Sequence, residues 1–339
     1  MSTGLYNETV GHKLGTLEFQ IIKMGDKNAG KLLYYIEAGT EISGLCALLR
    51  RTLSGLYIAD MLGAVPVISW KKSRLLNENR VINGSDNPFE YFFEPISTIS
   101  TEEASKSRHV IMHEIKNDAY LWGEGRIVCS DGQTERYILL QQNILKKYPI
   151  VFKKEIEQQL REEVASLMGN VKAIGVHMRG AQRRRFIKGL ANPIPFEWYF
   201  NELDKLLSRG QYDCIFVATD DSEYLMKTKD RYGDKVMYFK DTERCTDGMI
   251  PYFTSDRSKY RITFETLRDM YALLHCNCLI GGPSNVTMMV RVMKLRYGKW
   301  EHCIMMDNGV CTDGEENVEN TLKIIRNNGN MDILNQKKE

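Results

Sequence analysis

YDCIFVATDDSEYLMKTKDRYGDKVMYFKD, residues 212–241, reads as strand, helix, strand. YDCIFVATD is an apolar run of strand length. SEYLMKTKDRYG has helical spacing, opens on a capping serine and ends on glycine, and KVMYFKD returns to strand. Strands joined through a helix pair in parallel, since a tight turn joins only antiparallel ones. Working outward, the unit repeats. VKAIGVHM (171–178) is a preceding strand, and FEWYFNELDKLLSRG (196–210) is a helix with Phe196, Phe200, Leu203, Leu206 and Leu207 at helical spacing. Downstream come helix ITFETLRDMYALLHC, strand NCLIGG, helix SNVTMMVRVMKLRYG, strand HCIMMD and a last helix from about Glu315. This alternation predicts an α/β chain with a doubly wound parallel sheet.

The first half is less regular. KLLYYIEAG and VPVISW read as strands around LCALLRRTLSGLYIADMLG, a helix with Leu45, Leu49, Leu53 and Leu56 on one face and Gly63 as its stop. Residues 71–130 read as loop-rich, and 135–168 as helical and charged, broken at Pro149. At 339 residues two domains are expected. The junction falls near 167–172, dividing residues 1–168 from 169–339.

Hydrophobic residues make up 43% of the chain, enough for two sizeable cores. A formal net charge of +2 argues against a general nucleic-acid binder, so any basic site must be local. No stretch approaches the roughly 20 apolar residues of a membrane span. The start, MSTGLYNETVGHKLG, lacks the apolar core of a secretory signal. The eight cysteines lie mostly in apolar runs and suit buried thiols better than disulfides or a zinc site. A cytoplasmic protein without cofactor or metal is expected.

Ligands of open parallel sheets bind outside the carboxyl ends of the strands. That rule selects HMRG (177–180), ATDD (218–221) and GGPSN (281–285). In GGPSN the glycines permit a tight turn, Ser284 can cap the next helix, and free N–H groups there can face an anion. An arginine from HMRG adds a bidentate, charge-assisted contact. IGVHMRGAQRRRF (174–186) places Arg179 and Arg183–Arg185 within seven residues. Each motif alone has a plain reading: a helix start, a capped strand end, a core histidine, a solvated basic loop. Their joint placement on one sheet edge describes a nucleotide or diphosphate pocket.

HMRG, then ATDD, then Arg244 in DTERCTDG, then LRDMYALLHCNCLIGGPSN resembles the fucosyltransferase superfamily, which includes bacterial nodulation and core α1,6-fucosyltransferases and protein O-fucosyltransferases. GLCALLRRTLSGLYIADMLGAVPVISW and NPFEYFFEP (87–95) add to the likeness, which spans most of residues 30–295. The resemblance implies a GT-B-like fold, two Rossmann-like domains facing a cleft, with GDP-fucose held by the C-terminal one and inverting, metal-independent transfer. It places Arg179 on the diphosphate, His177 along the donor pocket, Asp269 at the guanine, Ser284 and Asn285 near the phosphates, and Arg183 near the β-phosphate. Gly180, Asp220 and Arg244 complete the expected donor site. Gly180 departs from the second arginine that several members carry there, and no carboxylate occurs from Ala181 to Pro195.

Some protein O-fucosyltransferases carry a glutamate in the first loop, and EAGTEISG offers Glu37 and Glu41 there; the resemblance thus implies Glu41 first as the base. The chain contains no Asp-x-Asp motif, which metal-dependent transferases of the other major fold use. Expected partners are a nucleotide-sugar donor and a glycan or glycolipid acceptor in polysaccharide assembly, with peripheral membrane contact left open. Three alternatives stand: a transferase using another nucleotide sugar, a nucleotide-sugar binding protein without turnover, and a nucleic-acid binder using Arg183–Arg185 with Phe186 and Trp198.

Overall fold

The computed structural model describes residues 12–14, 17–37, 43–114, 132–180, 191–245 and 251–313. Strands β1 (His12–Leu14) and β2 (Leu17–Phe19) form a separate antiparallel pair. A first sheet contains β3 (Ile21–Ile22), β4 (Leu33–Glu37), β5 (Val65–Ser69) and β6 (Val110–Glu114) in the order β3-β6-β4-β5. Both β5 and β6 run parallel to β4, and β3 is an antiparallel edge. β6 lies inside the segment expected to be loop-rich, and this corrects that expectation. Val110 and Ile111 are fully buried at the centre of the sheet. Polar neighbours on both sides shorten the apolar run below what a periodicity test can register.

The second sheet is built from β7 (Ala173–Met178), β8 (Cys214–Thr219), β9 (Val236–Met237), β10 (Cys278–Gly281) and β11 (His302–Met305). Its order is β11-β10-β7-β8-β9, and every neighbouring pair is parallel. The doubly wound sheet is therefore present as expected. The chain runs outward from β7 through β8 to β9, then returns to the other side of β7 for β10 and β11. That reversal makes the crevice between β7 and β10 the topological switch point. The run KVMYFKD yields only two strand residues, because Phe239 turns inward to pack on Phe216 instead of continuing the ladder.

The helices are α1 (Leu45–Met61), α2 (Thr101–Ala104), α3 (Gly132–Lys147), α4 (Lys154–Met168), α5 (Phe196–Leu207), α6 (Ser222–Tyr232), α7 (Pro251–Thr254), α8 (Lys259–His275) and α9 (Asn285–Met293). Alternate residues of a strand face opposite sides of the sheet. Ile174, Val176 and Met178 pack with Tyr199, Leu203, Leu206 and Tyr224 of α5 and α6. Phe216 and Leu279 pack on the opposite face with Phe264, Leu267, Met288 and Met289 of α8 and α9. Right-handed crossovers require this change of face once the winding direction reverses.

The second of these cores does not stop at the sheet. It continues through Leu45, Leu49, Leu53 and Leu56 of α1, and through α3 and α4, to Tyr34, Ile36, Ile68 and Ile111 of the first sheet. The helices α1, α3, α4, α8 and α9 thus form one apolar layer between two sheets. This explains why α1 is buried well beyond its leucine stripe, with Cys46, Arg50, Thr52 and Ser54 also enclosed. No helix of the described residues is long and apolar enough to cross a membrane. Among the described residues no three His, Cys, Asp or Glu side chains are grouped as a metal site requires.

A continuous core couples the two sheets on unfolding. Denaturation by urea, followed by tryptophan fluorescence and far-ultraviolet circular dichroism, should show one shared transition. Leu53→Ala, at a fully enclosed position, should lower the whole transition by about 2–5 kcal/mol. Two separate transitions, with only one moved by Leu53→Ala, would contradict the shared core.

Candidate functional site at the switch point

β7 and β8 end side by side, with His177 opposite Ala218 and Met178 opposite Thr219. The residues that follow are tied together by one carboxylate. Asp220 Oδ2 accepts from Arg179 Nη1 at 3.0 Å, and its Oδ1 accepts from the Gly180 N–H at 3.0 Å. Arg179 is thereby aimed along the strand edge, and among the described residues only its Nη1 is engaged. Asp221 turns the other way and caps α6, accepting from the N–H groups of Glu223 and Tyr224. The cap of that helix is therefore Asp221, whereas the sequence pointed to Ser222. A carboxylate holds both N–H groups, and its charge also suits the helix's positive end. Asp221 explains Gly180 as well: a Cβ there would lie 2.0 Å from the Asp221 Cβ. No side chain fits at position 180, arginine included.

At β10, on the opposite side of β7, Gly281 pairs with His177. α9 begins so close above this strand that a Cβ on Gly281 would meet the Thr287 methyl at 2.5 Å. Ser284 caps α9 as expected, its Oγ accepting from Val286 N at 3.0 Å and Thr287 N at 3.3 Å. Ser284 O takes the Met288 N–H. The helix start is consequently less open to an anion than the sequence suggested. Of its first four N–H groups, that of Asn285 remains unengaged among the described residues. Ser284 Oγ also lies 3.5 Å from His177 Nδ1. Burial, and secondarily the charge of Arg179, pushes His177 down to about 4. The imidazole is neutral near pH 7 and contributes a dipole, not a charge.

Asn285 is gripped from α1. Arg50 Nη1 donates to Asn285 Oδ1 at 2.5 Å, while Arg50 Nε and Nη2 donate to the Tyr137 hydroxyl of α3 at 3.1 and 3.0 Å. Gln141 Nε2 donates to that same hydroxyl at 2.6 Å and to the Arg50 carbonyl at 3.1 Å. Cys46, one turn before Arg50, touches Met270 Sδ at 3.8 Å and feels the charges of both Arg179 and Arg50. Burial nonetheless pushes its thiol up to about 12, which leaves it protonated and inert. Arg50, Tyr137 and Gln141 escape a motif search. The one available signal is Cys46, Arg50 and Leu53 at i, i+4 and i+7, which puts an arginine on a buried stripe.

α8 brings three charges into the layer between the sheets. Glu265 accepts from Glu243 N at 2.8 Å and from Arg261 Nε at 2.9 Å, and is also paired with Arg257. Arg268 pairs with Asp241 at 2.8 Å and Glu163 at 2.5 Å, donates to Thr242, and lies 4.0 Å over the Phe239 ring. These contacts clamp residues 239–245 onto α8. Asp269 is treated differently. It is 8% exposed, and its Oδ1 has no hydrogen-bond partner among the described residues. Burial pushes its carboxyl up to about 7, against the pull of Arg244 and Arg268. Arg244 does not close the gap. Its Nη groups donate to the carbonyls of Thr242 and Phe239, and its Nε is also unsatisfied.

Of the residues singled out from sequence, the fold joins His177, Arg179, Gly180, Asp220, Ser284 and Asn285 along one edge. Asp269 and Arg244 act on one another electrostatically behind it. Arg183 and Glu41 lie outside the described residues. Glu37, at the end of β4, is paired with Lys72 at 2.8 Å.

Asp269 carries a linkage consequence. A carboxyl that keeps its proton to about pH 7 when folded, but loses it near pH 3.9 when unfolded, favours folding at the acid end. Its contribution to stability is lost as pH rises from about 4 to 7. His177 acts oppositely, costing stability as pH falls from about 6.5 to about 4. Asp269→Asn removes only the first effect. Chemical denaturation at pH 5 and pH 7.5 should show the variant gaining on wild type at the higher pH; a pH-independent difference would refute the assignment.

No protein-family model matches the chain, and no curated protein matches its sequence. Among solved structures it is similar to fucosyltransferase NodZ from Bradyrhizobium, at 15% identity and TM-score 0.46, covering 84% of this chain and 98% of that one. NodZ α-1,6-fucosyltransferase co-crystallized with GDP gives 17% identity and TM-score 0.45 over 77% and 92% of the two chains. POFUT1 in complex with GDP-fucose gives 9% identity and TM-score 0.43 over 82% and 98%.

Proposed function

We propose that the chain is a glycosyltransferase that takes fucose from GDP-fucose to a glycan or glycolipid hydroxyl. The observation that carries this reading is the switch-point edge. There Arg179 and the Asn285 N–H stand on either side of neutral His177, with the buried Asp269 carboxyl, its Oδ1 unpartnered among the described residues, behind. Breaking a sugar–diphosphate bond develops negative charge on the leaving phosphate oxygen. A guanidinium held in place by Asp220, together with the positive end of α9, offsets that charge without rearranging at the moment of reaction. Guanine presents two adjacent N–H donors, a pattern that a carboxylate accepts. Binding it would supply Asp269 Oδ1 with the partner it lacks.

The proposed displacement inverts the sugar carbon and needs no resident metal, because the fixed Arg179 guanidinium and the positive end of α9 do the work that Asp-x-Asp sites assign to a divalent ion. Glu41 is the proposed base that takes the acceptor proton. Arg183 is proposed to add to the phosphate contacts. A cytoplasmic setting and a role in polysaccharide assembly belong to the same proposal. One observation favours a second reading, binding without transfer: the packing of Asp221 restricts this strand end to a single arginine.

Titration calorimetry in EDTA with GDP, UDP, CMP and ADP tests the donor class. GDP should bind best, and Arg179→Ala should weaken it by about tenfold or more. Preference for another nucleotide would replace the donor, and no binding at all would overturn the reading. Transfer is tested separately. Glu41→Gln should lower the rate of GDP release from GDP-fucose with acceptor by about tenfold or more while sparing GDP affinity. A fully active variant would remove Glu41 as base.

A further inference from the structure

We infer that Arg50, a residue of the first α/β half, is a positioning residue for the donor site: it fixes the Asn285 amide so that its NH₂ group faces the anion. This rests on the proposed nucleotide-diphosphate reading and deepens it.

The chemistry of the amide makes the direction definite. A carboxamide presents an acceptor on one branch and two donors on the other, and the two are readily interchanged by rotation about the terminal bond. A free asparagine beside a phosphate would sample both orientations, one of which sets its oxygen against the anion. A guanidinium has donors only. Its bond at 2.5 Å therefore fixes the near branch as Oδ1, and Nδ2 is directed away from α1.

Arg50 is suited to this task because it is itself immobilised. It is 9% exposed, and its Nε and Nη2 converge on the Tyr137 hydroxyl. Gln141 binds that hydroxyl and the Arg50 carbonyl together. Asn285 is the position where such control matters. Ser284 has already consumed the N–H groups of Val286 and Thr287. What the start of α9 can still offer an anion is the Asn285 backbone N–H and the Asn285 side chain. Orienting the amide converts a helix start with one unengaged donor into a two-point anchor at a single residue.

A merely structural Arg50 would affect folding, or all ligands alike. The positioning role predicts a loss confined to the phosphates and dependent on Asn285. Binding of GDP and of guanosine is measured by calorimetry on wild type, Arg50→Met, Asn285→Ala and the double variant, with melting temperatures recorded for each. Each single variant should weaken GDP by about tenfold, leave guanosine unchanged, and combine to no more than either alone. Arg50→Lys, which keeps the charge without the fork, should recover only part of the loss. If Arg50→Met fails to fold, Tyr137→Phe takes its place, since it removes the hydroxyl that steadies the guanidinium and should weaken GDP severalfold. Additive losses of about a hundredfold in the double variant, or equal losses for guanosine, would overturn the inference. If wild type binds UDP or ADP in place of GDP, the GDP-fucose reading fails while the cycle decides Arg50 with that nucleotide and its nucleoside. Binding of no nucleotide by wild type would overturn both.

Discussion

A helix enclosed on nearly every side cannot leave its charges to water, and α8 carries Glu265, Arg268 and Asp269 within five residues of one another. An ionised side chain taken out of water without partners is costly, so such groups pair, neutralise or serve a ligand. The first two outcomes occur along this one helix, and the third is what the proposed reading assigns to Asp269. Glu265 and Arg268 draw in Arg257, Arg261, Asp241 and Glu163. In doing so they fold residues 239–245 against α8 and bridge to α4. Asp269, one residue further along, has no partner for Oδ1 among the described residues, and burial pushes its carboxyl up to about 7. The surrounding network shows that the fold can satisfy buried charge at this depth. Asp269 Oδ1 is left without a partner among the described residues, as are Arg268 Nε and Arg244 Nε near it, and under the proposed reading a ligand with N–H donors would complete the carboxyl.

Much of this was legible in the sequence where local pattern and tertiary role coincide. The strands YDCIFVATD and VKAIGVHM are central and buried on both faces, so they read as continuous apolar runs. The serine of GGPSN caps α9 because capping depends on adjacent residues alone. What escaped depends on distant neighbours. β6 is hidden because only Val110 and Ile111 supply its apolar centre. The cap of α6 is the exception, a local choice between adjacent residues that the Asp221 carboxylate wins over Ser222. The meaning of Gly180 was legible only once Asp221 was seen to fill the space over it. Arg50 sits in a helix read for its leucine stripe, and its enclosure depends on Tyr137 and Gln141 of α3 and Asn285 of α9.

At the described strand edge the positive charge is partly offset. Arg179 is already paired with Asp220, and His177 is held neutral by its burial. Pairing has a geometric return: Asp220 binds the Gly180 N–H as well, so the guanidinium is referenced to the strand backbone and not left to wander as a long side chain would. A fixed dipole or cation stabilises developing charge more effectively than a mobile one, because no reorganisation accompanies the reaction. The same logic governs Asn285, which is referenced to α1 through Arg50. Under the proposed reading, the two side chains that would face the anion, Arg179 and Asn285, are each held by a second side chain.

These two references come from different parts of the chain. Asp220 follows β8 of the second sheet, whereas Arg50 belongs to the helix between β4 and β5 of the first. An edge built from the second sheet alone would supply Arg179 and a capped helix, with one unengaged N–H among the described residues. The second donor at that helix becomes directed only because α1 packs into the common layer and brings Arg50 to it. Under the proposed reading, a donor site of this kind is not the property of one Rossmann-like half, and the apolar layer between the sheets is part of the phosphate site.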